Sequence, residues 1–354
     1  MPDLTAALLS WYRANARDLP WRRTTDPYRI WVSEIMLQQT RVAAVLGYYA
    51  RFLENFPTVE ALAAAPEEQL MKCWEGLGYY SRARNLQKAA RVVTEQCGGC
   101  FPADYDGLLA LPGIGEYTAG AVASAAFGLP VPAVDGNVLR VMTRLTDCHG
   151  DITLPATKAL AREWVTDHMP GTEEDIRVFN QALMELGATV CAPNTAPHCG
   201  ECPLASLCLG LERGTVEDLP VKAAKKARTV QEMTVYLLER DGRIALRKRP
   251  KSGLLAGLWE FPNVPGGQNE ETAGKPVENW GLTPVEWRQK LTAKHIFTHR
   301  EWHMTGYVLR VTGDGPEEFL WADSVKLAEC AVPSAFARHL EEAWRLLADA
   351  EETE

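Results

Sequence analysis

Apolar residues recur every three to four positions along most of the first 190 residues, which is the period of an amphipathic helix. The pattern predicts helices over residues 3–16, 28–39, 42–56, 58–65, 66–74, 82–96, 104–111, 117–127, 157–168 and 173–189. Asp26 and Pro27 mark the start of the second helix, because aspartate caps helices and proline fits the first helical position. The N-terminal part of the chain is therefore predicted to be mainly helical.

Beyond residue 229 the pattern becomes that of strands. Residues 233–239 and 244–248 flank Asp241-Gly242, a dipeptide typical of a two-residue hairpin. Further strands are predicted around Phe297 and over residues 301–311, and a last helix over residues 335–350. This part of the chain is therefore predicted to form a separate α+β domain.

Length and charge narrow the class of protein. The 354 residues suffice for two or three domains of about 100–200 residues each. Residues 211–228, which include Lys225 and Lys226, are predicted to form an exposed basic linker. The net charge of −9 excludes a protein that holds nucleic acid through bulk positive charge, so such contacts must be local. Because neither an 18-residue apolar run nor a basic start with an apolar core is present, we expect no membrane contact.

A glycine-rich segment, Leu111-Pro-Gly-Ile-Gly-Glu-Tyr-Thr-Ala-Gly120, lies between two predicted helices. We expect Pro112, Gly113 and Gly115 to form a tight hairpin, because glycine adopts positive φ freely. The glycine amides and the N-terminus of the second helix then point at one place and bind an anion there. A plain tight turn between two core helices would explain the segment equally well.

Four cysteines lie within eighteen residues, with the spacing C-x7-C-x2-C-x5-C. They are Cys191, Cys199, Cys202 and Cys208. Four thiolates so close in sequence indicate a metal site, and the spacing alone leaves zinc and an iron–sulfur cluster open. A group of buried thiols without a metal is the alternative.

Two carboxylates have surroundings that suit different chemistry. Glu34 lies on a helix among apolar neighbours, which raises the pKa of a carboxyl and suits a proton donor near neutral pH. Asp135 precedes a helix and can accept N–H bonds as its N-cap, which favours the ionised form. The alternatives are a glutamate and a capping aspartate without catalytic roles.

Several segments together resemble the adenine DNA glycosylases of the endonuclease-III-like helix-hairpin-helix superfamily. They are residues 19–21, 31–40, 74–82, the hairpin, Val134-Asp-Gly-Asn137 and the four cysteines. The resemblance implies a glycosylase domain over residues 1–210. Within it, residues 27–132 form a six-helix barrel, and residues 1–26 and 133–210 form a cluster-bearing lobe. A linker over residues 211–228 and a Nudix-like domain over residues 229–354 follow.

The resemblance implies hydrolysis of the bond between deoxyribose and an adenine paired with 8-oxoguanine or guanine, after the adenine has left the duplex. Glu34 matches the general acid and Asp135 the carboxylate that stabilises the positive sugar. Tyr117 and Asn137 match residues that support the sugar and Asp135. Arg17, Trp21, Arg22 and Leu37 match the adenine pocket. The matched DNA and 8-oxoguanine contacts are Gln39, Tyr79, Gly113, Gly115, Phe297, Thr298 and His299.

One position distinguishes two kinds of relative. Glycosylases that also cut the strand carry a lysine where this chain has Tyr117, and the lysine amine forms a Schiff base. Without that amine we expect base removal without strong strand cleavage. In the segment that begins with Asp135, Arg140 is expected to pair with an acid or to contact DNA.

The resemblance also implies cofactors, partners and location. The four cysteines match a 4Fe-4S site, although the first gap has seven residues where six are usual, and the hairpin matches a site for a monovalent or calcium ion. Double-stranded DNA is the implied partner of a monomeric, cytoplasmic, nucleoid-associated enzyme of bacterial type.

Residues 253–262 resemble the Nudix-like domain, but no R-E-x-x-E-E helix follows Pro262, so recognition without hydrolysis is expected there. Two other functions stay open at this point. One is a damage-binding protein without turnover, which the intact Glu34 and Asp135 disfavour. The other is a Nudix nucleotide hydrolase, which the missing metal-binding helix disfavours.

Overall fold

The computed structural model describes residues 3–193, 196–223 and 227–351. The chain forms two compact units, and each consists of two stretches of sequence. The first unit comprises Met1–Ala64 and Arg84–Ala224, and the second comprises Ala65–Ala83 and Lys225–Glu354. Lys225 and Lys226 of the predicted linker lie outside the described residues.

All regular secondary structure among the described residues of the first unit is helical. Its helices are α1 (Leu4–Asn15), α2 (Pro27–Leu37), α3 (Val42–Asn55), α4 (Val59–Ala64), α6 (Ser81–Gln96), α7 (Tyr105–Leu109), α8 (Glu116–Phe127), α9 (Gly136–Thr146), α10 (Pro155–Asp167), α11 (Glu173–Thr189) and α12 (Leu209–Arg213). Helix α5 (Glu67–Cys73) belongs to the second unit, and α6 begins in the second unit and continues into the first. Most helix ends predicted from the apolar periodicity lie within two residues of the ends in the structure.

Helices α1, α9 and α11 share one core. Leu8, Val138, Val141, Phe179 and Leu183 are among its buried members. Burial of such side chains removes about 1.5–3 kcal/mol of unfavourable hydration for each residue. This core fixes α9, and with it the residue at the N-terminus of α9, Asp135.

Only one of the two hairpin glycines needs to be glycine for conformational reasons. Gly113 has a φ of 75°, and an added Cβ would lie 2.5 Å from Cβ of Asn85. Gly115 has a φ of −100° as N-cap of α8, and an added Cβ would meet nothing within 4 Å. The expectation that both glycines supply positive φ is therefore wrong for Gly115.

The predicted exposed linker is partly packed against the first unit. Its start is helical in α12, and Leu219 is 2% exposed. The buried Arg144 donates from Nε to the Leu219 carbonyl at 2.9 Å, and the Ile152 amide donates to the Val221 carbonyl at 3.1 Å. Most described residues of this segment are exposed, as predicted, but the buried Leu219 and these two hydrogen bonds attach residues 219–221 to the first unit.

The second unit is an α+β domain. Its strands are β1 (Thr229–Arg240), β2 (Arg243–Lys248), β3 (Trp259–Glu260), β4 (Asn263–Pro265), β5 (Thr283–Ile296), β6 (Arg300–Thr312) and β7 (Leu320–Ala322), and its further helices are α13 (Gly274–Asn279), α14 (Ser324–Glu329) and α15 (Ala337–Glu351). The main sheet order is β3-β2-β1-β6-β5, with β4 also on β1 and β7 on β2. The pairing of β1 with β6 is parallel and the other pairings are antiparallel.

Apolar cores cover both faces of this sheet. One includes Val235, Phe261 and Leu346 of α15, and the other includes Tyr236 and Val277 of α13. Because both faces are covered there, residues 234–239 of β1 are buried at every position, whereas the first four residues of β1 are exposed. Phe297 lies in the turn between β5 and β6, so the strand predicted around it ends one residue earlier.

Segment Ala65–Ala83 is attached to the second unit by hydrogen bonds. Lys72 donates from Nζ to the Cys330 carbonyl at 3.0 Å, and the Val332 amide donates to Oε1 of Glu75 at 2.8 Å. Across the described residues, every helix is too short or too polar to cross a bilayer.

Candidate active site

A cavity of about 560 Å³ in the first unit collects many of the predicted site residues. Its lining includes Arg17, Trp21, Arg22, Glu34, Leu37, Gln39, Tyr117, Asp135 and Asn137. These residues come from helices α2, α8 and α9 and from the segments that follow α1 and α2, and some are more than 100 positions apart in sequence. The fold thus brings the predicted catalytic group and the predicted adenine pocket to one place.

Glu34 reaches the cavity from α2. Asp26 caps this helix by accepting from the Tyr28 amide at 2.9 Å, and Ile30, Trp31 and Ile35 are buried around the glutamate. Burial raises the pKa of Glu34 to about 7, although a hydrogen bond from Tyr117 opposes the rise. The carboxyl is therefore protonated in a large fraction of molecules at neutral pH.

The Tyr117 hydroxyl has a partner that the resemblance did not name. It donates to Oε2 of Glu34 at 2.6 Å, and its second contact is with the sulfur of Met184 at 3.5 Å. Asn137 is the residue that supports Asp135, by donating from Nδ2 to Oδ2 at 2.7 Å. Tyr117 therefore orients the predicted acid, and support of the sugar by Tyr117 stays a prediction.

Asp135 is the N-cap of α9, as predicted. Its Oδ1 accepts from the amides of Asn137 and Val138, both at 2.8 Å. Burial raises the pKa of Asp135, and these hydrogen bonds together with the nearby Arg140 offset only part of that rise. The expectation that capping favours the ionised form is right for the hydrogen bonds but omits the larger contribution of burial.

Arg140 holds backbone carbonyls, and within the described part of the chain no acid forms an ion pair with it. It donates to the carbonyl of Cys191 at 2.7 Å and to that of Gly187 at 2.5 Å, and it reaches Oδ1 of Asn137 at 2.9 Å. Gly187 allows this close packing, since an added Cβ would lie 2.6 Å from Cβ of Asn137. Arg140 therefore fixes Asn137, which in turn holds Asp135.

Glu185 is a cavity residue that sequence reasoning missed. Arg17 donates to it from Nε and Nη2, both at 2.7 Å, and Arg22 donates from Nη2 at 2.7 Å. Burial alone would raise its pKa, but these hydrogen bonds outweigh burial and lower the pKa to about 2. A lone carboxylate between Met184 and Leu186, within the apolar stripe of α11, was the available signal.

Two family models match the chain. The model of the HhH-GPD superfamily of base excision DNA repair proteins matches residues 32–167, and a NUDIX domain model matches residues 233–342. The human adenine DNA glycosylase is 37% identical, with 88% of this chain and 67% of that protein covered. The adenine DNA glycosylase of Buchnera aphidicola subsp. Baizongia pistaciae (strain Bp) is 33% identical, with 85% and 83% covered.

Among solved structures, a thermostable thymine-DNA glycosylase is similar, with a TM-score of 0.54 at 33% identity over 59% of this chain and 95% of that chain. The chain belongs to the adenine DNA glycosylase family. It is therefore an enzyme of base excision repair that hydrolyses N-glycosyl bonds. The predicted helix-hairpin-helix and Nudix-like fold classes are confirmed.

The four cysteines of this glycosylase line one apolar cavity, together with Arg144. Among the described residues, no three metal-binding side chains are placed to share a single ion. Zinc would need four sulfur atoms about 3.8 Å apart, given zinc–sulfur bonds of about 2.3 Å. A 4Fe-4S cube binds each thiolate at a separate iron and keeps them further apart. The four thiols in one cavity fit a metal or iron–sulfur site.

Arg144 adds a charge argument to this fit. Its Nη1 lies 3.3 Å from Sγ of Cys191, and its backbone carbonyl accepts from Sγ of Cys208 at 3.3 Å. Arg144 is 5% exposed, so its cation stands beside the thiol groups with little water between them. A buried cation suits four thiolates that carry an iron–sulfur cluster.

Two residues predicted to enter the duplex have strained backbones. Gln39 has a φ of 58° and Tyr79 a φ of 46°, in the left-handed region that side chains other than glycine rarely adopt. Such strain costs about 1–3 kcal/mol and is typical of functional positions. Gln39 lines the cavity in the first unit, and Tyr79 lies in the second unit with its side chain 47% exposed.

The predicted recognition loop lies in the same unit as Tyr79. The Tyr79 hydroxyl and Oγ1 of Thr298 are 2.7 Å apart, and His299 is exposed. Phe297 instead packs against His295 and Trp302, with ring centroids 4.5 and 4.8 Å away. Phe297 therefore anchors the loop in the core, while Thr298 and His299 face outward.

Proposed function

We propose that this glycosylase removes adenine mispaired with 8-oxoguanine or guanine and leaves the DNA strand uncut. The observation that carries the proposal is the cavity in which Glu34, with a pKa of about 7, lies beside Asp135. A carboxyl that is partly protonated at neutral pH and a second, hydrogen-bonded carboxylate are the two groups that glycosidic cleavage needs.

Glu34 acts first as the acid. Protonation of adenine at N7 turns the base into a neutral leaving group, and the Tyr117 hydroxyl holds the carboxyl at 2.6 Å during this transfer. After the base leaves, the Glu34 carboxylate takes a proton from the attacking water. The same group therefore gives and recovers one proton in each cycle.

Asp135 acts on the sugar. As the bond to adenine breaks, positive charge develops on the deoxyribose ring, and an adjacent carboxylate stabilises that charge. The amides of Asn137 and Val138 fix the carboxylate, so little reorganisation is needed. Arg17 and Arg22, which Glu185 holds, form the polar side of the proposed adenine pocket.

Two further features support the proposal, one for the uncut strand and one for the recognition of the mispair. The described lining of this cavity contains no lysine, so no amine there can form a Schiff base with the sugar. Tyr79 and Thr298 are hydrogen-bonded to each other, which favours their joint contact with 8-oxoguanine. Cys191, Cys199, Cys202 and Cys208 would hold the 4Fe-4S cluster, which when bound joins the ends of this segment and performs no hydrolysis. The hairpin ion, the monomeric state and the cytoplasmic location stay predictions.

Single-turnover incubation with duplexes bearing adenine opposite 8-oxoguanine, guanine or thymine tests the proposal. We expect strand breaks only after alkali treatment, with rates in the order 8-oxoguanine, guanine, thymine. Breaks without alkali would contradict the monofunctional chemistry. Equal rates opposite 8-oxoguanine and thymine would contradict the mispair specificity. Tight binding without base release would leave a damage-binding protein.

Thr298→Val tests the recognition loop separately, with Thr298→Ser as its matched control. Valine removes the hydroxyl that contacts Tyr79, and serine keeps it. We expect valine to reduce the preference for 8-oxoguanine over guanine and serine to retain it. Loss of activity on both mispairs to the same extent would assign the loop a structural role.

A further inference from the structure

A second cavity, of about 470 Å³, adjoins the one that holds Glu34. Tyr117, Val134, Asp135 and Gly136 line both cavities and so form a wall between them. The proposed chemistry takes place at this wall, because Asp135 must lie against the sugar. If the adenine occupies the first cavity, the backbone attached to its sugar must leave on another side.

Two basic side chains line the second cavity. Lys158 and Arg162, one turn apart on α10, belong to its lining. Arg162 donates from Nη1 to Oε2 of Glu116 at 2.7 Å, which cancels much of its charge. Lys158 is exposed, and among the described residues no carboxylate pairs with it. Lys158 is therefore the main unpaired cation in the described lining of this cavity, which also contains the Asp135 carboxylate.

The wall also leaves room for a close approach. Gly136 is exposed, and an added Cβ would meet nothing within 4 Å. The Asp135 carboxylate accepts from the amides of Asn137 and Val138. A tetrahedral anion can therefore approach Gly136 directly.

We infer that the second cavity binds a phosphodiester of the DNA strand that carries the target adenine, with Lys158 as its principal cation and Arg162 as a second one. This inference rests on the proposed function, since it takes the adenine to occupy the first cavity. It also explains how a chain with a net charge of −9 holds DNA beside two carboxylates. Lys158 is a positioning residue in this scheme, because it fixes the sugar against Asp135 through the phosphate.

Binding is measured with the full chain carrying Glu34→Gln, so that the duplex with adenine opposite 8-oxoguanine stays intact. We expect Lys158→Gln to raise Kd about fivefold at moderate salt and to lower the slope of log K against log salt by about one. Lys275→Gln is the matched control, because Lys275 is exposed on α13 of the second unit. An unchanged Kd and slope for Lys158→Gln would overturn the inference.

Glu116→Gln gives a change of opposite sign. It frees Arg162 from its ion pair while keeping a hydrogen-bonding side chain, so we expect Kd to fall about threefold and the salt slope to steepen. A variant that merely damaged the fold could not tighten binding. Gly136→Ala adds a methyl group to the cavity without an internal clash, and we expect weaker binding with unchanged thermal stability.

Single methylphosphonate substitutions along the adenine-bearing strand identify the phosphate. One substitution near the adenine should weaken binding to the parent protein and have no further effect on Lys158→Gln. Additive effects at every position would overturn the inference. If Lys158→Gln changes Kd as expected but Glu34→Gln still releases adenine, the proposed acid is wrong while the phosphate site stands.

Discussion

Glu34 and Glu185 line the same cavity, yet their ionisation is shifted in opposite directions. The pKa of Glu34 is raised to about 7, and that of Glu185 is lowered to about 2. If burial alone set the pKa, Glu185 would have the higher value, since Glu185 is 0% exposed whereas Glu34 keeps some surface in the cavity. The partners decide the outcome, because Glu185 has two arginines and Glu34 has a neutral hydroxyl.

The difference in pKa gives the two glutamates different roles within one cavity of about 560 Å³. A permanently ionised Glu185 keeps two guanidinium groups in place, whereas a Glu34 that titrates near neutral pH can exchange a proton with a substrate. Because both positions hold a glutamate, the difference between their pKa values comes from the surroundings of each side chain. The following changes test this contrast, from the largest expected effect to the smallest.

Glu34→Gln should lower the single-turnover rate of adenine release about 10³-fold, since glutamine cannot donate the proton. The measurement is base release from the duplex with 8-oxoguanine, and Glu54→Gln on the exposed face of α3 is the control. A rate within threefold of the parent would remove Glu34 from the chemistry.

Glu185→Gln should lower the free energy of unfolding by about 3 kcal/mol at pH 7, because two arginines lose their buried counter-charge. The lowered pKa makes this contribution complete above the ordinary glutamate range, and it is lost as the pH falls towards 2. Urea denaturation at pH 7 and pH 3 measures the difference. Glu174→Gln, exposed on the same helix, should change stability by less than about 0.5 kcal/mol, and an equal loss in both variants would refute the contrast.

The rate of base release should fall about tenfold for each pH unit above about 7, because only protonated Glu34 donates. Single-turnover rates between pH 5 and 9 measure this limb, and the Glu185→Gln variant should keep it. A flat profile would show that proton donation does not limit the reaction.

Tyr117→Phe should move this descending limb to higher pH. The hydroxyl donates to the Glu34 carboxylate and so lowers its pKa, and phenylalanine removes that bond without changing the ring. The matched control is Tyr48→Phe on α3, which lines neither this cavity nor the second one. A limb that stays in place would contradict the assigned contact.

Local patterns predicted much of the helical framework and one of these two carboxylates. Helix α11 has the predicted bounds, Asp135 caps α9 as expected, and the apolar neighbours of Glu34 indicated a raised pKa. These features depend on residues within one or two helical turns.

The partners of both carboxylates were beyond such reasoning. Tyr117 lies 83 positions from Glu34, and Arg17 lies 168 positions from Glu185. No periodicity encodes which side chains meet across such separations, so Glu185 went unnoticed and the contact between Tyr117 and Glu34 was not predicted. The apolar anchors within the predicted linker were missed for the same reason, since Leu219 meets Arg144 only after folding.

The two-part composition of the second unit has a consequence for synthesis on the ribosome. Residues 65–83 leave the ribosome more than 140 residues before the sheet that they join begins at Thr229. At about 5–20 residues per second, this segment waits roughly ten seconds or longer for its partners. Its apolar side chains, including Leu70 and Trp74, are buried in the finished protein and unprotected until then. A nascent chain stalled in this interval is therefore a natural client for chaperones.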